Sequence, residues 1–94
     1  TSMDIRHVYK EKMDAQLKEW DAQWELLKAK ADKMTGNAKI AFEAKMRDLG
    51  SRRDDLRARL SAGREAATDV WETMKLEADQ ITADIKRRFN DLLR

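Results

Sequence analysis

Three features of this 94-residue sequence predict an all-α fold. It holds no proline and three glycines, and Ala, Leu, Lys, Glu, Arg, Gln and Met dominate, all strong helix formers. Its apolar residues recur at alternating steps of four and three: Met13, Leu17, Trp20, Trp24, Leu27, Ala31, Met34 and Ala38. This is the a/d comb of a coiled-coil seam. Nothing alternates with a period of two for long enough to make a strand.

The first comb predicts a helix through the N-terminal third of the chain. After Phe42 the comb slips, then resumes through Leu49, Leu56, Leu60, Ala67, Val70, Met74, Ala78, Ile81, Ile85, Phe89 and Leu92. Opposite charges four apart lie between the apolar positions, such as Asp14 with Lys18, Glu43 with Arg47, Asp55 with Arg59 and Asp84 with Arg88. Each such pair contributes about 0.2–0.5 kcal/mol to a helix. Three stretches carry break signals. Thr35-Gly36-Asn37 reads as a C′ glycine before an asparagine N-cap. Gly50-Ser51 offers a C′ glycine and a serine N-cap, with Asp54 at N3 to close a capping box. Ser61-Ala62-Gly63, with Thr68-Asp69 beyond, is the third.

A turn at Gly50-Ser51 gives the expected architecture, an antiparallel helical hairpin roughly 65 Å long at 1.5 Å per residue. It sets Leu27 opposite Met74, Trp20 opposite Ile81, Leu17 opposite Ile85, Met13 opposite Phe89, Trp24 opposite Ala78 and Met34 opposite Ala67. Two alternatives stay open. One is a three-helix bundle broken near residues 36 and 63. The other is a long helix to about residue 60 with a short return helix, completed by a second chain. A hairpin seam is narrow, and Trp24, Leu26, Ile40, Trp71 and Leu76 fall beside it. Exposed apolar surface of that kind marks association, so dimerisation into a larger bundle is expected. The expected seam and oligomer interface comprises Met13, Leu17, Trp20, Trp24, Leu27, Met34, Trp71, Met74, Ile81, Ile85 and Phe89.

Composition narrows the function classes. The length fits one domain, residues 3–94, with Thr1 and Ser2 read as a cloning remnant ahead of a native start at Met3. The 20 Lys plus Arg nearly cancel the 18 Asp plus Glu, so no strong field steers the chain to nucleic acid. Without cysteine there is no disulfide framework or thiolate zinc site, which fits a reducing cytoplasm. No apolar run approaches the length of a membrane span. His7 is the single histidine and lacks converging ligand partners, so no metal or other cofactor is expected. The paired carboxylates Asp54-Asp55 point to different helix faces, and no glycine-rich phosphate loop exists, so no enzyme is expected.

One charged stretch stands out, SRRDDLRARLSAGR from Ser51, with Arg52, Arg53, Arg57, Arg59 and Arg64. It reads either as a phosphate-binding patch for lipid or nucleic acid, or as a solvated helix with charge pairs to Asp48, Asp54 and Asp55. The second reading is favoured, because no aromatics interleave and acids neighbour the arginines.

The run VYKEKMDAQLKEWDAQWELLKAKADK, with the later LRARLSAGREAATDVWETMK, resembles a family of small bacterial coiled-coil stress-response proteins of cyanobacteria and proteobacteria. Tyr9, Glu11, Lys12, Ala15-Gln16-Leu17, Glu19-Trp20, Ala22, Leu27, Ala29-Lys30-Ala31-Asp32, Asn37-Ala38-Lys39, Leu60 and Trp71 carry the resemblance over nearly the whole chain. Gly36, Gly50 and Thr68-Asp69 depart from it. The resemblance implies a cytoplasmic, stress-associated protein and brings no catalytic residues. The expected function is therefore a self-associating coiled coil acting through protein–protein contacts. The alternative is a peripheral binder of anionic surfaces through the arginine stretch.

Overall fold

The computed structural model describes the backbone of residues 2–94 and the side chains of residues 5–94. The reading of a leading remnant before Met3 lies outside the described side chains. The chain is all-α, with α1 (Ser2–Asp32), α2 (Gly36–Gly63) and α3 (Thr68–Leu93) and no strand among the described residues. The breaks fall near residues 36 and 63, which makes a three-helix bundle measuring 53 × 18 × 17 Å.

The hairpin turn expected at Gly50-Ser51 does not form, and both residues lie inside α2. The reason is Trp24. A Cβ built on Gly50 would stand 3.2 Å from Trp24 Cη2, so the missing side chain is what lets the indole lie against α2. From the other side the Arg53 guanidinium sits 4.9 Å from the ring centroid. A cation over an indole contributes about 0.5–2 kcal/mol. That offsets the cost of about 1 kcal/mol for a glycine inside a helix. Gly50 serves packing here, and Ser51 is exposed in mid-helix.

The first turn is short. The amides of Lys33 and Met34 donate to the carbonyls of Lys30 and Ala31 at 3.2 and 3.0 Å. Gly36 takes a φ of 66°, the left-handed region that L side chains avoid. Asn37 falls inside α2, so the N-cap position passes to Thr35, whose side chain makes no capping bond. At the second turn the cap position of α3 is Ala67, and the Trp71 amide donates to the Ala67 carbonyl at 2.8 Å.

Contacts between the helices set their directions. Along α1 and α3 they climb together, from Tyr9 against Trp71 to Trp20 against Phe89, so these helices run parallel. Along α2 and α3 they run oppositely, with Arg52 on Asp84 and Arg88 on Asp48. The hairpin pairing of Trp20 with Ile81 and of Met13 with Phe89 is thereby replaced. Trp20 instead stacks on Phe89, with centroids 6.1 Å apart and planes at 22°.

The core takes one stripe from each helix. Tyr9, Met13, Leu17, Trp20, Leu27 and Ala31 come from α1, Phe42, Met46, Leu49 and Leu56 from α2, and Trp71, Ala78, Ile85, Phe89 and Leu92 from α3. Trp24, Met34, Leu60 and Ile81 pack against it half-buried. Met74 is half-buried too, with its methyl within reach of Gly63. Leu26, Ile40 and Leu76 are exposed, whereas Trp71, expected beside the seam, is buried.

Two predictions follow from this packing. Trp20 is 1% exposed, so Trp20→Ala should cost about 3–5 kcal/mol, read as a shift of the urea midpoint. Gly63 has no positive φ, and a Cβ there would meet Trp71 at an ordinary 3.5 Å. Gly63→Ala should therefore raise stability by about 0.5–1 kcal/mol, and a lower midpoint would refute the packing described here.

Candidate functional site

Where α1 begins, α2 ends and α3 begins, the bundle is not filled. A cleft of about 520 Å³ opens there between α1 and α2. The residues around it explain the gap. On α2 the comb reaches Leu60, and the next lining residue, Ser61, is too small to close the space. On α1 the facing side chains are Arg6 and Lys10, long and charged, which rim the space without filling it. The floor is apolar, formed by Tyr9, Met13, Leu17, Leu60 and Trp71.

The rim is mostly cationic. Arg6, Lys10, Arg57 and Arg64 face two carboxylates, Asp14 and Glu65, with His7 at the mouth. Lys10 is held by Asp14 at 2.8 Å, and the His7 Nε2 lies 3.0 Å from Glu11. Arg6 is fixed more firmly. One terminal nitrogen donates to the carbonyls of Arg64 and Ala66 at 3.3 and 2.7 Å, while the guanidinium lies 5.3 Å from the Trp71 ring centroid. Its Nε is buried without a hydrogen-bond partner.

Tyr9 ties the floor of the cleft to α3. Its hydroxyl donates to Asp79 Oδ1 at 2.7 Å, and its ring meets Trp71 edge-on at 5.4 Å. Lys75 donates to Asp79 Oδ2 at 3.2 Å and lies over the Tyr9 ring. Burial, and then the carboxylate beside it, hold the Tyr9 phenol protonated well above its ordinary range. At Asp79 burial favours the neutral acid, but the bonds from Tyr9 and Lys75 and the charges of Lys75 and Lys12 outweigh it. Its carboxyl is held below the usual range.

The expected arginine patch is not assembled as one surface. Arg52 is shared between Asp48 at 3.1 Å and Asp84 at 3.3 Å. Arg53 faces Asp21 of α1 at 3.6 Å, and Arg57 faces the same carboxylate at 3.7 Å. Arg59 bridges Asp55 and Glu77. The pairs with Asp48 and Asp55 are those the four-residue spacing gives, and Arg53 and Arg57 also lie by Asp54, whereas Asp21, Glu77 and Asp84 are reached across helices. Of the five, Arg57 and Arg64 line the cleft. Among the described residues no three His, Cys, Asp or Glu side chains converge as a metal-binding group.

The expected seam residues Met13, Leu17, Trp20, Leu27, Trp71, Ile85 and Phe89 are buried within the one chain. The cleft itself went unread in the sequence. Its signal was the small Ser61 beside Leu60, with a charged Arg64 where the next turn would carry an apolar residue. No protein-family model, curated protein or solved structure matches the chain.

The Tyr9–Asp79 bond predicts a pH dependence. A folded carboxyl held below its unfolded value of about 3.9 adds stability above that pH. The contribution disappears as pH falls through the folded value. Tyr9→Phe should lower the urea midpoint at neutral pH, and its deficit against the parent should narrow between about pH 5 and pH 2. A deficit that stays constant with pH would mean the bond is not coupled to Asp79 ionisation.

Proposed function

We propose that this chain is a non-enzymatic interaction protein that holds an amphipathic helical segment of a partner protein in the cleft between α1 and α2. The observation that carries the reading is an apolar floor between two helices under a mostly cationic rim. A third helix laid in such a groove would continue the packing already present in the bundle, with anchors at i, i+3 or i+4, and i+7. Acidic side chains flanking those anchors would meet Arg64, and would compete with Asp14 for Lys10 and with Asp21 for Arg57. The cytoplasmic, stress-associated setting implied by the sequence resemblance belongs to the same proposal.

The size and chemistry of the cleft support a helical segment over an extended phosphate backbone. Its volume lies in the range of ordinary binding pockets, about 300–1,000 Å³, and holds a few side chains. Burying three leucine-sized anchors gives about 5–9 kcal/mol before the costs of association. That points to weak, reversible binding. A phosphate-reading arginine surface draws less support, since Arg52, Arg53 and Arg59 are engaged by carboxylates of three helices.

The test is a fluorescence titration on Trp71, with Trp20 and Trp24 replaced by Phe if their signal interferes. The probes are two synthetic helix-forming peptides with identical leucine anchors, one with Glu flanks and one with Lys flanks. The Glu-flanked peptide should bind at least tenfold tighter, weaken with salt without being lost, and lose tenfold or more with Leu60→Glu. Equal affinity for the two peptides, or indifference to Leu60→Glu, would overturn the reading.

A further inference from the structure

The turn between α1 and α2 is built from weak parts, while the sequence running through it is that of a helix. It spans residues 33–35. Two backbone bonds hold it, Thr35 supplies no side-chain cap, and it needs the positive φ of Gly36. No proline interrupts it. Leu27, Ala31, Met34 and Ala38 continue the four-three comb straight across the break. In the folded chain Leu27 and Ala31 are core, but past the break the comb loses its cover, with Met34 half-buried and Ala38 exposed.

We infer that two copies of this chain exchange α1, with residues 33–35 joining α1 and α2 into one helix and Gly36 acting as the hinge. The exchange keeps every interaction that α1 makes with α2 and α3. In each half of the dimer, Tyr9 of one copy donates to Asp79 of the other. Arg6 reaches the carbonyls of residues 64 and 66, Lys30 reaches those of Leu92 and Arg94, and Asp21 meets Arg53. What is lost is the turn, replaced by continuous helical hydrogen bonding. The two joined helices then pass each other antiparallel at the hinge, which brings Met34 and Ala38 of each copy against the other. Opposing the exchange is the entropy of association, which makes it depend on concentration. Exchange of an identical element is a low-cost route to a dimer, and a short hinge invites it. The cleft becomes composite, with Lys10 and Met13 from one copy facing Leu60 and Arg64 of the other.

The test turns on Gly36→Ala. Alanine is disfavoured at positive φ and favoured in a helix, so both effects bias the chain toward exchange. In sedimentation velocity the dimerisation constant should rise tenfold or more. The frictional ratio should rise with it, since residues 2–63 as one helix span roughly 90 Å against a longest dimension of 53 Å in the single bundle. Lengthening the turn by four flexible residues after Met34 should abolish the dimer. The chain has no cysteine, so Asp21→Cys with Arg53→Cys in the Gly36→Ala background reports which copy's α1 lies on α2. A short thiol cross-linker should give covalent dimers. A Gly36→Ala protein that stays monomeric at several hundred micromolar overturns the inference. So does a dimer that survives the longer turn, or one whose cross-links are only intramolecular.

Discussion

Two packed helices share one seam, and a hairpin of α2 and α3 alone would leave most of its buried stripe in water. Occupation of that groove by α1 is the constraint on which the rest depends. It completes the core with Trp20 and Leu27, which are 1% and 0% exposed. Its cations also close the ends of the other two helices. Arg6 donates to the carbonyls at 64 and 66 past the end of α2, and Lys30 donates to Leu92 and Arg94 at the end of α3. The last carbonyls of a helix lack partners within it and carry partial negative charge. One helix therefore supplies both the third wall of the core and the caps of its neighbours.

The helical class and most of the core were legible because they depend on local periodicity. The a/d comb selected Met13, Leu17, Trp20 and Leu27, all of which are buried. Topology was not legible, because glycine carries two meanings. Gly36 bends the chain through a positive φ, whereas Gly50 makes room for an indole twenty-six positions earlier in the sequence. The residue type alone gives no local way to tell a turn from a packing notch. The charged residues divide likewise. Asp55 with Arg59 and Asp84 with Arg88 pair as the four-residue spacing predicts. Asp14 takes Lys10 instead of Lys18, and Asp21, Asp84 and Glu77 reach across to arginines of α2.

The cleft was hidden for a related reason. Its floor consists of residues that periodicity marks as ordinary core, and its rim comes from two helices whose juxtaposition follows only from the topology. Lys10 and Arg64 have no relation in sequence. They share a rim because α1 and α2 run antiparallel and because Ser61 leaves the space between them empty. Near-neutral net charge likewise concealed a local excess, since several of the carboxylates that balance the chain, Asp21, Asp48, Asp84 and Glu77, are engaged between helices by Arg52, Arg53, Arg59 and Arg88.

The cleft and the hinge have a common origin in how α1 is held. α2 and α3 are the closely paired helices, joined along their length by packing and by the ion pairs of Asp48, Asp84 and Glu77. α1 is seated by its buried stripe from Tyr9 to Ala31 and by a few polar ties, through Tyr9, Asp21 and its two terminal cations, with Trp24 against Gly50 between them. A helix so seated can be provided by another copy as well as by its own chain, because neither the stripe nor the ties depend on the three-residue connection. Beside the first turns of α1 the groove to α2 stays open. An element that completes the core through one stripe, while the groove beside its first turns stays unfilled, is suited both to exchange and to making room for a fourth helix.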